Sequence, residues 1–392
     1  MTESKTVKPL RFIPFQRQDI VRVLAQNFSS DHAKATRFTS GTEKIEAHFL
    51  SDFGELKKSL KSVYASLDPD RDTRVLDDKN SQAAASELLK SLESALIRAN
   101  YDKVSDENLQ QALKSSSLFQ VRLVVEVDDF EEILLYTRGA SQREETLSEF
   151  FGLWKRRVKF TNFDRVVLFL RLKPTVDNES TLGECPPGST LLKLFQNVPA
   201  SDLEMLFPNI RIGMRLIDKL MIGVPALVSG FVVVSTKLGA TLLLVASLLG
   251  FWLGISSEPV ELDKAAMIAV AASLFALGGY LWKQFSNYRN RKLKYTQALT
   301  ENLYFKLLDN NAGVIYRVLD DAEDSEVKES ILALHFLLTE TQSITAEALD
   351  KKIQDWFQEE LQCELDFEIE DALSKLEMLN LAEKKSDLWK AC

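Results

Sequence analysis

Histidine and cysteine are scarce in this chain, with three of each among 392 residues. Cys185, Cys363 and Cys392 lie far apart with no C-x-x-C pair, which leaves no disulfide framework and points to a reducing compartment. His32, His48 and His335 lack a metal-ligand spacing such as H-E-x-x-H. His335 falls in an apolar helical stretch, where a core histidine is the ordinary reading. The phosphate loops G-x-x-x-x-G-K-S/T and G-x-G-x-x-G and the nucleophile elbow G-x-S-x-G are missing too. The start, MTESKTVKPLRF, has no apolar signal core, so no cleaved secretory signal is expected, and no mitochondrial presequence is obvious. On these grounds no catalytic residue, cofactor or metal is expected, and the chain reads as a non-enzyme.

An excess of positive charge is also absent. The formal net charge is −9 and the pI about 5.2, which argues against broad nucleic-acid binding. Charged residues make up 27% of the chain, so most of it is expected outside any bilayer.

Two stretches nevertheless carry no charge, Leu238–Ser256 and Ala265–Trp282. Each is about 18–19 residues long, enough for a helix to cross a hydrocarbon core of roughly 30 Å. The expectation is a transmembrane helical hairpin, with the acidic loop SEPVELDK (257–264) between its arms. Basic flanks, Arg211, Arg215 and Lys219 before and Lys283, Arg289, Arg291, Lys292 and Lys294 after, place both termini on the cytoplasmic side. That implies a bacterial inner membrane, with the mitochondrial inner membrane as the alternative. Arg289, Arg291, Lys292 and Lys294 would meet lipid headgroups. Ala265, Ala269, Ala272, Ala276 and Gly279, with Gly250 and Gly254 on the first arm, form small-residue faces. Such faces suit packing within the hairpin or between copies of a homo-oligomer.

Met221–Thr236 is apolar as well and leads through Lys237 into the first arm. It reads as a third span, a re-entrant or interfacial segment, or the lower part of a long helix; the last two fit the charge pattern better. Lys237 would snorkel to headgroups or line a pore.

The expected fold class is an α+β membrane protein. Residues 1–215 form a cytoplasmic domain of helices and a small mixed sheet. Its helices are expected over Glu43–Leu67, Ser81–Asn100 and Asp106–Lys114, and its strands include Arg165–Leu172 and Thr190–Phe195. Ser141–Lys155 reads as an amphipathic surface helix, and Ser201 with Asp202 caps a short helix closed by Pro208. Asp202 and Glu204 beside Arg211 and Arg215 read as a structural ion-pair cluster at the membrane surface. Residues 216–295 form the membrane region.

Residues 296–392 read as a mostly helical cytoplasmic domain ending in two short strands, which resembles a winged helix. Its last helix holds Glu368, Glu370, Asp371 and Glu377 against one Lys375, so a polyanion is repelled and DNA reading is disfavoured. The acidic run Asp320–Asp324 reads as a solvated helix start.

Ile13-Pro14-Phe15, Leu135-Tyr136-Thr137-Arg138-Gly139, the segment NVPASDLEMLFP (197–208) and IGVPALVSG (222–230) resemble the transmembrane protein 143-like family. Its shared region is a domain of unknown function found in bacterial and mitochondrial membrane proteins. The resemblance implies membrane location and this domain order, and it carries no catalytic residues.

The expected function is a membrane-anchored scaffold or adaptor, oligomeric, that meets a protein partner through the C-terminal domain. The alternative is an oligomeric channel or transporter built from the hairpins. An enzyme acting on lipid or membrane protein has only its placement to recommend it.

Overall fold

Three helices open the chain: α1 (Arg17–Gln26), α2 (His32–Tyr64) and α3 (Ser81–Arg98). The Asp31 carboxylate accepts from the Lys34 backbone N–H at 3.1 Å and caps α2. Phe38, Ile45, Phe49, Phe53 and Leu60 recur at helical spacing and are buried along α2. Ala85, Leu88, Leu92 and Leu96 do the same on α3. The computed structural model describes residues 9–71, 81–105, 107–110, 122–125, 127–149, 154–174, 185–186, 188–213, 252–253 and 264–392.

The strands are β1 (Asp102–Lys103), β2 (Arg122–Val125), β3 (Phe130–Glu149), β4 (Trp154–Leu172), β5 (Thr190–Pro199), β6 (Ile210–Gly213) and β7 (Leu307–Asn310). Five of them form a sheet of order β1-β3-β4-β5-β7. Every pairing in it is antiparallel, so the expected mixed sheet is corrected. The apolar run Val166–Leu170 on β4 is buried on both faces. Val167 and Phe169 join the helical core. By alternation, Val166, Leu168 and Leu170 face the other way. There the 3-10 helix Ala200–Leu206 packs on β4 and β5 with buried Leu203, Met205 and Leu206. Residues 200–208 thus form a lid on the second face of the sheet.

Ser141–Lys155 is not a helix. Its described residues belong to the long β3–β4 hairpin, whose register runs from Ser141↔Asn162 to Glu149↔Trp154. Local helical spacing gives way to cross-strand pairing, as between Glu144 and Lys159 at 3.0 Å.

Ala265–Trp282 falls on α4 (Lys264–Lys306), a helix of 43 residues. That helix continues without a break through the basic positions from Lys283 to Lys294, so the apolar stretch is only part of it. Among the described residues, no helix is long and apolar enough to cross a membrane. This overturns the expected membrane fold, the inner-membrane location and the orientation drawn from the basic flanks. Apart from Trp252 and Leu253, the segments 221–236, 238–256 and 257–263 lie outside the described residues.

After β7 come α5 (Ala312–Thr339), β8 (Ile344–Thr345), α6 (Ala346–Leu361), α7 (Ile369–Met378), β9 (Ala382–Lys385) and β10 (Leu388–Ala391). The small sheet has the order β8-β10-β9. Helix, strand, helix, helix and a two-stranded wing is the element order of a winged helix. Its helices share one core with α1, α2, α3 and the large sheet. A Cβ on Gly41 of α2 would lie 2.5 Å from Leu334 Cδ2 of α5, so glycine permits this close helix approach.

Two compact units result. One comprises residues 1–115, 125–209 and 305–392; the other comprises 116–124 and 210–304. Within the second, β2 pairs with β6 and α4 supplies the helix.

Candidate functional site

Helix α5 interrupts its own apolar stripe. Ala322, Glu326, Glu329 and Ala333 follow core-face spacing, yet two of them are acids, and all four are buried. Asp320–Asp324, expected as a solvated helix start, lie within this helix and are engaged by cations from other elements. Asp321 pairs with Arg138 at 3.1 Å, while Glu323 and Asp324 pair with Arg17 at 3.4 and 3.1 Å.

Glu326 is held from two sides. Arg98 Nε, at the end of α3, donates to Glu326 Oε1 at 2.8 Å, and its second arm reaches Asp52 Oδ2 at 2.9 Å. The same guanidinium lies 4.1 Å from the Phe53 ring centroid. Lys375 of α7 contacts Glu326 Oε2 and Asp371 Oδ2. Two cations on one buried carboxylate offset the desolvation that an isolated charge would suffer.

Glu329 meets neutral donors instead. Asn100 Nδ2 donates to Glu329 Oε1 at 3.0 Å, and Ser325 Oγ lies 3.4 Å from the same oxygen. Burial pushes the Glu329 carboxyl up to about 7; the Asn100 bond opposes this, and the charges of Asp371 and Glu368 add to it. Burial, followed by the Arg98 charge, brings the Lys375 ammonium down to about 7. Glu326, Glu329 and Asp371 each place an oxygen within 4.8 Å of the others, a spacing that could hold a metal ion. Lys375 already lies against two of the three, so an ammonium meets that charge.

A cavity of about 260 Å³ adjoins this network, walled by Phe12 and Pro14 of the N-terminal segment and by Arg138, Asp321, Asp324 and Lys328. Arg138 comes from β3. Its guanidinium lies 5.0 Å from the Phe12 ring and 4.8 Å from the Tyr101 ring, and Nη1 donates to Ala99 O at 3.3 Å. Its Nε is buried without a hydrogen-bond partner among the described residues. Lys328 Nζ lies 2.5 Å from Asp324 Oδ2 and 3.4 Å from Ile13 O.

The outer face of α7 is a second feature. Glu368, Glu370, Asp371 and Glu377 are exposed, together with Met378 at 57%.

The residues singled out in the sequence are scattered. Lys237, Gly250, Gly254 and Arg215 lie outside the described residues. Ala265, Ala269, Ala272, Ala276 and Gly279 lie along α4, with Ala272 and Gly279 exposed. Arg289, Arg291, Lys292 and Lys294 follow on the same helix, where Arg289 and Lys294 are exposed. Arg211 belongs to β6. Asp202 and Glu204 are buried in the 3-10 helix, and Ser201 Oγ lies 3.3 Å from Asp202 Oδ1. What the sequence reading missed is the network around Glu326 and Glu329. Its signal was present: acids at core-face positions of a helix.

Residues 163–313 match a family model described as "Protein of unknown function (DUF3754)". The match runs from within β4 through α4 and β7 to the first residues of α5, so the network and α7 lie beyond it. No solved structure matches the chain.

Proposed function

We propose that this chain is a non-enzymatic adaptor whose winged-helix part engages a protein partner through α7. The observation that carries the reading is the charge of the exposed α7 face, where Glu370 and Glu377 point outward, with Glu368 just before the helix and Asp371 beside Lys375 exposed next to them. In DNA-reading winged helices the corresponding helix enters the major groove and offers cations to it. Here the one lysine of α7 lies against buried Glu326. A polyanion would meet mostly like charge on this face, where Arg11 lies against Glu368 as a cation among the acids, while a basic protein surface would be attracted. Exposed Met378 supplies an apolar anchor beside the acids.

The resemblance to the transmembrane protein 143-like family weighs on the same side, since it brings no catalytic residues. Self-association is a further part of the proposal, supported by exposed Ile268, Phe275 and Trp282 on α4.

The test is charge reversal on the full chain, Glu370→Lys with Glu377→Lys, followed by proximity labelling in cells. The partner set should shrink while the melting temperature stays unchanged. An identical set of labelled proteins would sink the adaptor reading at this face.

A further inference from the structure

We propose that the cavity beneath the N-terminal segment binds a small zwitterion of the α-amino-acid class with an apolar side chain. This site is separate from α7 and does not depend on the adaptor reading.

Three observations converge on it. The first is unspent hydrogen-bonding capacity. Arg138 lines the cavity with a guanidinium whose Nη1 donates to Ala99 O and whose Nη2 pairs with Asp321, while Nε has no partner among the described residues. Among the described residues Lys328 has a single close partner, Asp324 at 2.5 Å, and a long contact to Ile13 O at 3.4 Å. Its ammonium carries three donors, so it too can take a ligand oxygen.

The second observation is charge balance, which selects among ligand classes. In the lining Arg138 pairs with Asp321 and Lys328 with Asp324, which Arg17 also reaches from outside, so the four lining charges sum formally to zero. An anion entering here would face two carboxylates, and a cation would face a guanidinium and an ammonium. A zwitterion meets both: its carboxylate takes the Arg138 guanidinium and Lys328, and its ammonium takes Asp321 and Asp324. Charge-assisted bonds of this kind are the stronger ones. These ion pairs keep the site neutral and preformed.

The third observation is shape. At about 260 Å³ the cavity lies just under the usual range for small-molecule sites, roughly 300–1,000 Å³, so only a small ligand fits. Phe12 and Pro14 give it an apolar wall opposite the charges. An apolar side chain rests there while the charged end faces α5 and β3.

The experiment is calorimetric titration of the full chain with L-leucine. Parallel titrations use L-leucine methyl ester, which lacks the carboxylate charge, N-acetyl-L-leucine, which lacks the ammonium, and inorganic phosphate. L-leucine should bind, and each capped analogue should bind at least roughly tenfold more weakly. Arg138→Gln should weaken L-leucine by a similar factor. If that variant does not fold, the analogue series on the unaltered chain still decides. Absence of heat with L-leucine at about 10 mM, well above a millimolar Kd, overturns the proposal. Equal binding of either capped analogue, or of phosphate in place of L-leucine, overturns it as well.

Discussion

His335 is kept neutral by its surroundings. It is buried against Phe28, Phe38 and Phe336, with ring centroids 4.7, 5.5 and 5.2 Å away, and its Nδ1 has no partner among the described residues. Burial brings its pKa down to about 4 from an ordinary 6.5. The folded state therefore resists the proton that the unfolded chain accepts, and stability is lost as pH falls from 6.5 through 4. By that shift the loss reaches about 3 kcal/mol. Urea unfolding of His335→Phe at pH 7 and at pH 4 should show most of this acid loss removed. Glu329 has the opposite sign. Its folded pKa, about 7, lies above the ordinary 4.5, so the folded state holds the proton more tightly. Stability is full below pH 4.5 and declines as pH rises toward 7. Glu329→Gln keeps an oxygen for Asn100 and should be stabilising at pH 8 by up to about 3 kcal/mol, with little effect at pH 4.5. No difference between the two pH values would show that Glu329 does not titrate in this range. Glu326 is a different case, because it is paired. Glu326→Ala leaves Arg98 and Lys375 facing each other without their shared anion and should cost about 3–5 kcal/mol in the same assay.

Along single elements, the sequence was readable where one period ran undisturbed. The stripes of α2 and α3 follow from apolar spacing alone, and the wing follows from two short strands flanking Lys385-Ser386-Asp387. The hairpin was not readable. Its β3 arm carries Arg143, Glu144, Glu145 and Glu149, charges that suit an exposed helix and an exposed strand tip equally well, and only pairing with β4 decides between them. At Gly139 the backbone turns to φ +72°, and a Cβ there would lie 2.3 Å from Asp164 Oδ2. Gly139→Ala should destabilise by about 1–3 kcal/mol, read by thermal unfolding, because both strain and crowding oppose the methyl group. The polar centre of α5 escaped the sequence for another reason. An acid at a core position looks like a break in the pattern until its partners arrive from Arg98 and Lys375, far away in the chain.

For the molecule as a whole, charge-poor stretches in the sequence dominated the reading and pointed to a bilayer, whereas α4 extends well past the apolar part. Apolar length alone did not reveal that the helix continues into Lys283–Lys306. The family match covers parts of both compact units and completes neither. The first unit joins distant parts of the chain. Leu10 bonds through its backbone to Glu364 and Asp366, at 3.0 and 2.8 Å, and Ile20 and Leu24 share a core with Leu373 and Trp389. This long-range closure has a consequence during synthesis. At about 5–20 residues per second, α1 to α3 leave the ribosome tens of seconds before α7 and the wing exist to cover them. Through that interval Phe28, Phe38 and Phe49 have no complete shelter, so a holding chaperone should govern the yield of this chain more than its final stability does.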